Sequence, residues 1–348
     1  MKKRNILRRV SLLIASGLTV MVSCASKEST TDEPGGNNGT GKVAKYQNPV
    51  IGTSLPDPTV IRAGNGYFYL YATEDIHNLP IYKSKDLVHW EFVGTAFTDE
   101  SRPQWNPNGG LWAPDINYVN GKYTLYYAKS EWGGEWTCGI GVATADSPEG
   151  PFTDHGSLFD SSSIGVQNSI DGFYMEDNGH KYLFWGSFHG IYGIELSDDG
   201  LSVKPGAEKK KIAGNQMEGT YIYKHEGYYY LFGSNGTCCE GANSTYRVIC
   251  GRSENLFGPY VTKDGKSMLD GNFDVFLQGN NYFAGPGHNA EITTDDKGQD
   301  WMIFHSYLKA DPDGGRQVLL DQVLWKDGWP LIAGHIPAYQ HDVPYFKE

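Results

Sequence analysis

Short alternating strands separated by glycine turns dominate the chain. Val60 and Ile61 lead into Ala63-Gly64-Asn65-Gly66, and the aromatic run Tyr67 to Ala72 follows. Asn120-Gly121 before Tyr123 to Tyr127, and Glu226-Gly227 before Tyr228 to Phe232, repeat the arrangement. Apolar and polar positions alternate on both sides of such turns, which predicts hairpins. Five times a turn Gly is followed four residues later by Leu or Met: Gly66, Gly121, Gly179, Gly227 and Gly298. A second mark, Ser84-Lys85-Asp86, Asp146-Ser147, Ser197-Asp198 or Ser253-Glu254, precedes a last strand in each of the first four units. The turn glycines lie 55, 58, 48 and 71 residues apart. Four-stranded units of that length predict an all-β, five-bladed β-propeller over residues 45–348; a two-sheet sandwich is the competing architecture.

A polar residue stands six to ten positions before each turn: Asp57, Asp115, Asp171, Glu218 and His288. The innermost strand of a propeller blade lines the central channel, so these five are expected to converge at its mouth. Prolines fix extended backbone at both sides of Asp57 and before Asp115. Clustered acids suit two purposes. With His288 they would hold a hard cation such as Ca²⁺, or a carboxylate pair would serve as acid and base in glycoside hydrolysis. Trp105, Trp112, Trp132 and Trp136 fall in or beside turns and offer flat faces for sugar C–H groups.

Composition narrows the choice. Gly numbers 44 and Tyr 23 among 348 residues, with 20% charged, which suits strands and turns. Lys2, Lys3, Arg4, Arg8 and Arg9 precede a short apolar run ending in Val22-Ser23-Cys24, the form of a secretory signal. Residues 1–23 are read as a lipoprotein signal, with Cys24 lipidated and residues 24–44 a flexible linker; an ordinary signal peptide is the alternative. Destinations are the outer membrane, cell surface or periplasm. Cleavage removes five of 29 basic residues, leaving 24 against 41 acids. So acidic a chain is a poor partner for nucleic acid, and membrane contact is expected only through the lipid. Of the remaining cysteines, Cys138 and Cys250 fall in different units and are not expected to pair. Adjacent Cys238 and Cys239 form either a vicinal disulfide or two buried thiols.

The stretches SLPDPTVIR, LWAPDINYVNGKYTLYYA, QMEGTYIYKHEGYYYLFGS and GPGHNAEI resemble glycoside hydrolase family 43. NSID, WGSFHGI and CCEGANSTYRVICGRS are most similar to its endo-α-1,5-L-arabinanase branch. The resemblance implies an inverting hydrolase of arabinan in plant cell walls; the chain is expected to be a monomer. It implies Asp57 as general base, Glu218 as general acid and Asp115 as the residue raising the Glu218 pKa. Base and acid would then lie roughly 6.5–9.5 Å apart. Trp112, Asn168, Asp171 and Ser187 would bind substrate, and His288 would face Ca²⁺ through water. Ile170-Asp171-Gly172 departs from the usual Ile-Asp-Pro of that branch, and Glu218-Gly219-Thr220 resembles other branches. An exo-acting arabinofuranosidase or β-xylosidase, and a non-catalytic glycan-binding propeller, are the alternatives.

Overall fold

Five antiparallel sheets, each drawn from one contiguous stretch, follow one another in the computed structural model, which describes residues 44–347. Blade 1 contains Thr59–Arg62, Phe68–Tyr71, Pro80–Ser84 and Trp90–Thr95; blade 2 contains Gly110–Val119, Lys122–Ser130, Gly139–Ala145 and Thr153–Asp160. Blade 3 contains Phe173–Asp177, His180–Trp185, Ile191–Glu195 and Lys210–Ala213; blade 4 contains Glu218–His225, Tyr228–Asn235, Arg247–Ser253 and Asp274–Leu277. Blade 5 contains Phe283–Gly287, Asp300–Leu308, Asp311–Lys326 and Trp329–Leu331, with Thr293–Thr294 also pairing to its second strand. The predicted signal, Cys24 and nearly all of the linker lie outside the described residues.

The repeated Leu or Met explains the packing. Leu70, Leu125, Leu183, Leu231 and Met302 are all fully buried on the second strand of their blades. They sit in aromatic-rich clusters that join neighbouring sheets, such as Tyr69, Tyr71 and Phe97 of blade 1 with Tyr127 and Phe152 of blade 2. Burial of these large faces between blades, rather than within any one of them, supplies the cohesion of the ring.

Closure between blades 5 and 1 uses the leading segment. Lys45–Gln47 pairs with Gln340–Asp342. Asn48 is buried and bonds both ways: Nδ2 donates to Leu320 O (2.8 Å) and Ala338 O (2.9 Å), and Oδ1 accepts from Leu320 N (2.9 Å).

Within the channel a second device recurs. In the first four blades Val60, Ile116, Tyr174 and Ile222 pair with the repeated Leu. The residue just before each of them points at the next blade. Thr59 Oγ1 accepts from Ile116 N (3.2 Å), Asp115 Oδ2 from Tyr174 N (2.7 Å), and Tyr221 OH from Ile292 N (2.8 Å). Glu291 Oε2 accepts from Val60 N (2.8 Å), which closes the circle onto blade 1. Four of the five seams are thus clamped by a side chain on a backbone amide. The seam between blades 3 and 4 has Phe173 at this position, edge-to-face on Tyr221.

Candidate active site

Three residues before the same reference positions, the backbone turns left-handed in all four blades: Asp57 (φ 53), Ala113 (φ 38), Asp171 (φ 58) and Gly219 (φ 62). His288 of blade 5 also has positive φ (43). Such conformations are unfavourable for most residues and concentrate at functional sites. Here they turn each innermost strand at the channel mouth. Gly219 has a further reason to be glycine: a Cβ there would lie 3.2 Å from the His288 ring.

This register separates the five polar residues. Asp57 and Asp171 share one level, Glu218 lies one residue above it, and Asp115 lies two residues below it, among the clamps. A cleft of ≈ 700 Å³ at the mouth is lined by Asp57, Asp171, Glu218 and His288, together with Trp112, Asn168, Ser187 and Arg316. Asp115 does not line it. Beneath is a cavity of ≈ 20 Å³, lined by Asp115, Glu291, Asn289 and Thr220, and also by Asp171 and His288. The expectation that all five converge at one level is therefore corrected for Asp115. Its carboxylate is taken up by Tyr174 N and by Asn117 Nδ2 (2.8 Å), not by Glu218. Burial and the Glu291 charge hold Asp115 well above the ordinary carboxylate range, and burial raises Glu291 as well. Two buried acids in this position share a proton.

The three acids at the mouth have different surroundings. Burial would raise Asp57, but Arg316 (3.1 Å) and His288 (3.2 Å) outweigh it and hold the carboxyl well below its usual range. Thr73 Oγ1 donates to Asp57 Oδ2 (2.7 Å). Asp57 N donates to His305 Nδ1 (3.0 Å), and burial keeps this imidazole neutral. Glu218 is raised by burial, although hydroxyls of Ser187 (2.6 Å to Oε2) and Tyr246 (2.7 Å to Oε1) partly oppose the rise. When Glu218 is protonated, one of those hydroxyls turns to accept. Asp171 is raised to about 7 by burial, with the Glu218 and Asp57 charges adding and His288 opposing. Its Oδ2 accepts from Gly219 N (3.1 Å), the residue next to Glu218. His288 loses cationic character by burial but is carried to about 9 by Asp57, Asp171 and Glu218. The surroundings thus push Asp57 and Glu218 in opposite directions, the separation of two carboxyls that acid–base hydrolysis requires.

The residues expected around the acids are brought together. Asn168 Nδ2 donates to Ser187 Oγ (2.9 Å), which donates to Glu218, so these two hold the acid as well as lining the cleft. Trp112 packs against Trp132 (centroids 5.5 Å), whose ring is 80% exposed on the wall. Trp105 instead packs on Tyr127, and Trp136 is exposed but does not line the cleft. Sequence reasoning missed Tyr246, which ends the loop before the third strand of blade 4, and His305 and Arg316, which come from the second and third strands of blade 5 and not from the innermost ones. Arg316 carried the clearest signal: an arginine amid Gly314, Gly315 and the apolar run Val318 to Leu320 needs an acid partner. Cys238 and Cys239 are joined by a disulfide, while Cys138 and Cys250 are free and buried.

With this geometry in place, comparison with known proteins gives consistent findings. The family description "Glycosyl hydrolases family 43" matches residues 46–330. An extracellular endo-α-(1→5)-L-arabinanase of Bacillus subtilis (strain 168) is 36% identical over 290 residues, 79% of this chain and 87% of that protein. An extracellular exo-α-(1→5)-L-arabinofuranosidase of Cellvibrio japonicus (strain Ueda107) is 33% identical, over 79% and 85%. The solved α-L-arabinanase of Cellvibrio cellulosa with arabinohexaose superposes with a TM-score of 0.73 at 30% identity, covering 82% of this chain and 99% of that one. A five-bladed propeller matched over residues 46–330, with three acids in unlike surroundings at its mouth, belongs to glycoside hydrolase family 43.

Proposed function

We propose that the protein hydrolyses α-1,5-linked L-arabinan by single displacement with inversion, cutting within the chain. The observation that carries this is the opposite setting of two carboxyls on one glycan-sized cleft: Asp57 lies against Arg316 and His288, whereas Glu218 is buried between the hydroxyls of Ser187 and Tyr246. Asp57, held ionised by Arg316 and His288, takes the proton of the attacking water. Glu218, raised by burial, gives its proton to the leaving oxygen. Asp171, not Asp115, is the neighbour that tunes Glu218, because it lines the cleft and its charge couples to that acid. The Trp112–Trp132 wall supports sugar faces. Proton NMR of the first products should show inverted anomeric configuration. A time course on linear arabinan should show a spread of long oligosaccharides early. Retained configuration would overturn single displacement. Short products alone from the first minutes would favour exo action, the activity named for the Cellvibrio japonicus relative.

Two buried oxygens without a partner, Thr220 Oγ1 and Asn289 Oδ1, would face a Ca²⁺ below the acids; the cavity they line with His288, ≈ 20 Å³, has room for about one water, so the channel would widen to take the hydrated ion. No group of three or more His, Cys, Asp or Glu ligands exists among the described residues, so water would complete the shell. The ion would supply positive charge that organises the channel acids. Prolonged chelation should lower the melting temperature, and Ca²⁺ should restore it; an apoprotein that metal analysis proves free of Ca²⁺ yet melts unchanged would remove the ion. Export as a lipoprotein through Cys24, with arabinan as the external partner and the enzyme a monomer, completes the reading. The mass of the mature N-terminus and sedimentation velocity check anchor and monomer respectively.

A further inference from the structure

Adjacent cysteines form a disulfide in this protein at an unexpected place. Cys238 and Cys239 lie on the loop joining the second and third strands of blade 4, and both line the cleft. A disulfide stabilises a fold chiefly by closing a long loop in the unfolded chain, and between neighbours that loop is minimal. Stability therefore gives little account of this bond. Burial gives none: Cys239 is exposed and Cys238 half-buried, whereas the two free thiols are in the core.

The loop around the bond is firmly built. Tyr246 N donates to Thr237 O (3.1 Å), Thr237 N to Thr245 Oγ1 (3.0 Å) and Glu240 N to Ser244 Oγ (2.8 Å). At its entrance Gly236 has φ 96, and a Cβ there would lie 2.6 Å from Thr245 O. The loop ends at Tyr246, whose hydroxyl holds Glu218 Oε1. The disulfide is thus fixed in register with the acid. Trp132, from blade 2, lines the same cleft two blades round the ring.

Joining the sulfurs removes both thiol protons. It leaves a polarisable surface with no strong hydrogen-bond donor, which suits the C–H face of a pentose. Flanking Thr237 and Glu240 offer polar atoms to its hydroxyl edge. Because the surface is rigid before ligand arrives, little ordering opposes binding. We propose that the Cys238–Cys239 disulfide is the platform of a distal subsite, holding a sugar unit that is not itself cleaved. This rests on the arabinan-hydrolysing function above.

The test compares wild type with Cys238→Ser/Cys239→Ser on arabino-oligosaccharides from the biose to the hexaose. The variant should raise KM for the hexaose about tenfold (1.4 kcal/mol), with kcat and the shortest substrate's KM unchanged and the melting temperature close to wild type. Wild type reduced with tris(2-carboxyethyl)phosphine should show the same KM shift, reversed on reoxidation, which covers a variant that fails to fold. Equal loss of kcat at every length, with lower melting temperature, would make the bond structural. No change at any length would remove the sulfurs from the subsite. If wild type cleaves none of these substrates, the arabinan function itself falls, and the subsite with it.

Discussion

Glu218→Gln should lower kcat on linear arabinan by about 10²–10⁴-fold, the usual size of a general-acid contribution. The hydroxyls of Ser187 and Tyr246 donate to different carboxyl oxygens; the amide oxygen keeps one of these bonds, and the other hydroxyl turns to accept from the amide NH2, so the melting temperature should change little. The loss should shrink on an aryl arabinofuranoside whose leaving group departs without a proton. That contrast separates a missing proton from a disturbed pocket. An equal loss on both substrates would take the acid role from Glu218. The pH dependence follows from the same environments. Asp57 must be ionised, and its partners hold it well below the ordinary range, so the acid limb of kcat/KM lies low. Glu218 must be protonated and is raised, so the alkaline limb lies above that of an ordinary glutamate.

Asp171→Asn should lower kcat and move the alkaline limb to lower pH, on the order of one unit. Replacing a carboxylate by an amide removes a like charge from beside Glu218, which then gives up its proton more readily. The protons of this pair belong to both groups, so the limb reports their joint titration. Asp115→Asn should leave the limb in place, since Asp115 titrates with Glu291 and does not line the cleft that holds Glu218. Asp115→Ala should instead cost stability, roughly 1–3 kcal/mol, by leaving Tyr174 N without its acceptor. A limb that moves in Asp115→Asn and stays fixed in Asp171→Asn would return the modulating role to Asp115. pH–rate profiles and thermal melts of the three variants decide between the two.

The same pair shows what the chain disclosed and what it hid. Blade number was legible because the Leu or Met after each turn is buried in every blade, so its spacing could not drift. Asp115 was misplaced because positions were counted from the turn glycine, and turns differ in length. Blade 1 pairs Arg62 with Phe68 across a five-residue connection, whereas blade 2 pairs Val119 with Lys122 across two. A window of six to ten positions before the glycine therefore admitted Asp57 at nine and Asp115 at six as one level, when the strands put them at two. The clamps were hidden for another reason. Each accepts from a backbone amide, which every residue but proline supplies, so Thr, Asp, Tyr and Glu all serve and leave no common motif. The partners of Asp57 were hidden because His305 and Arg316 arrive from far along the chain.

Four joints of the ring are riveted deep in the channel. The fifth is held at the rim instead, by Asp171 on Gly219 N, beside the acid. Glycan lying over Glu218 and Asp171 would cross that joint and bridge blades 3 and 4 from above. Substrate would then be more than cargo: it would touch both blades of the one seam that has no side chain clamped on a backbone amide deep in the channel.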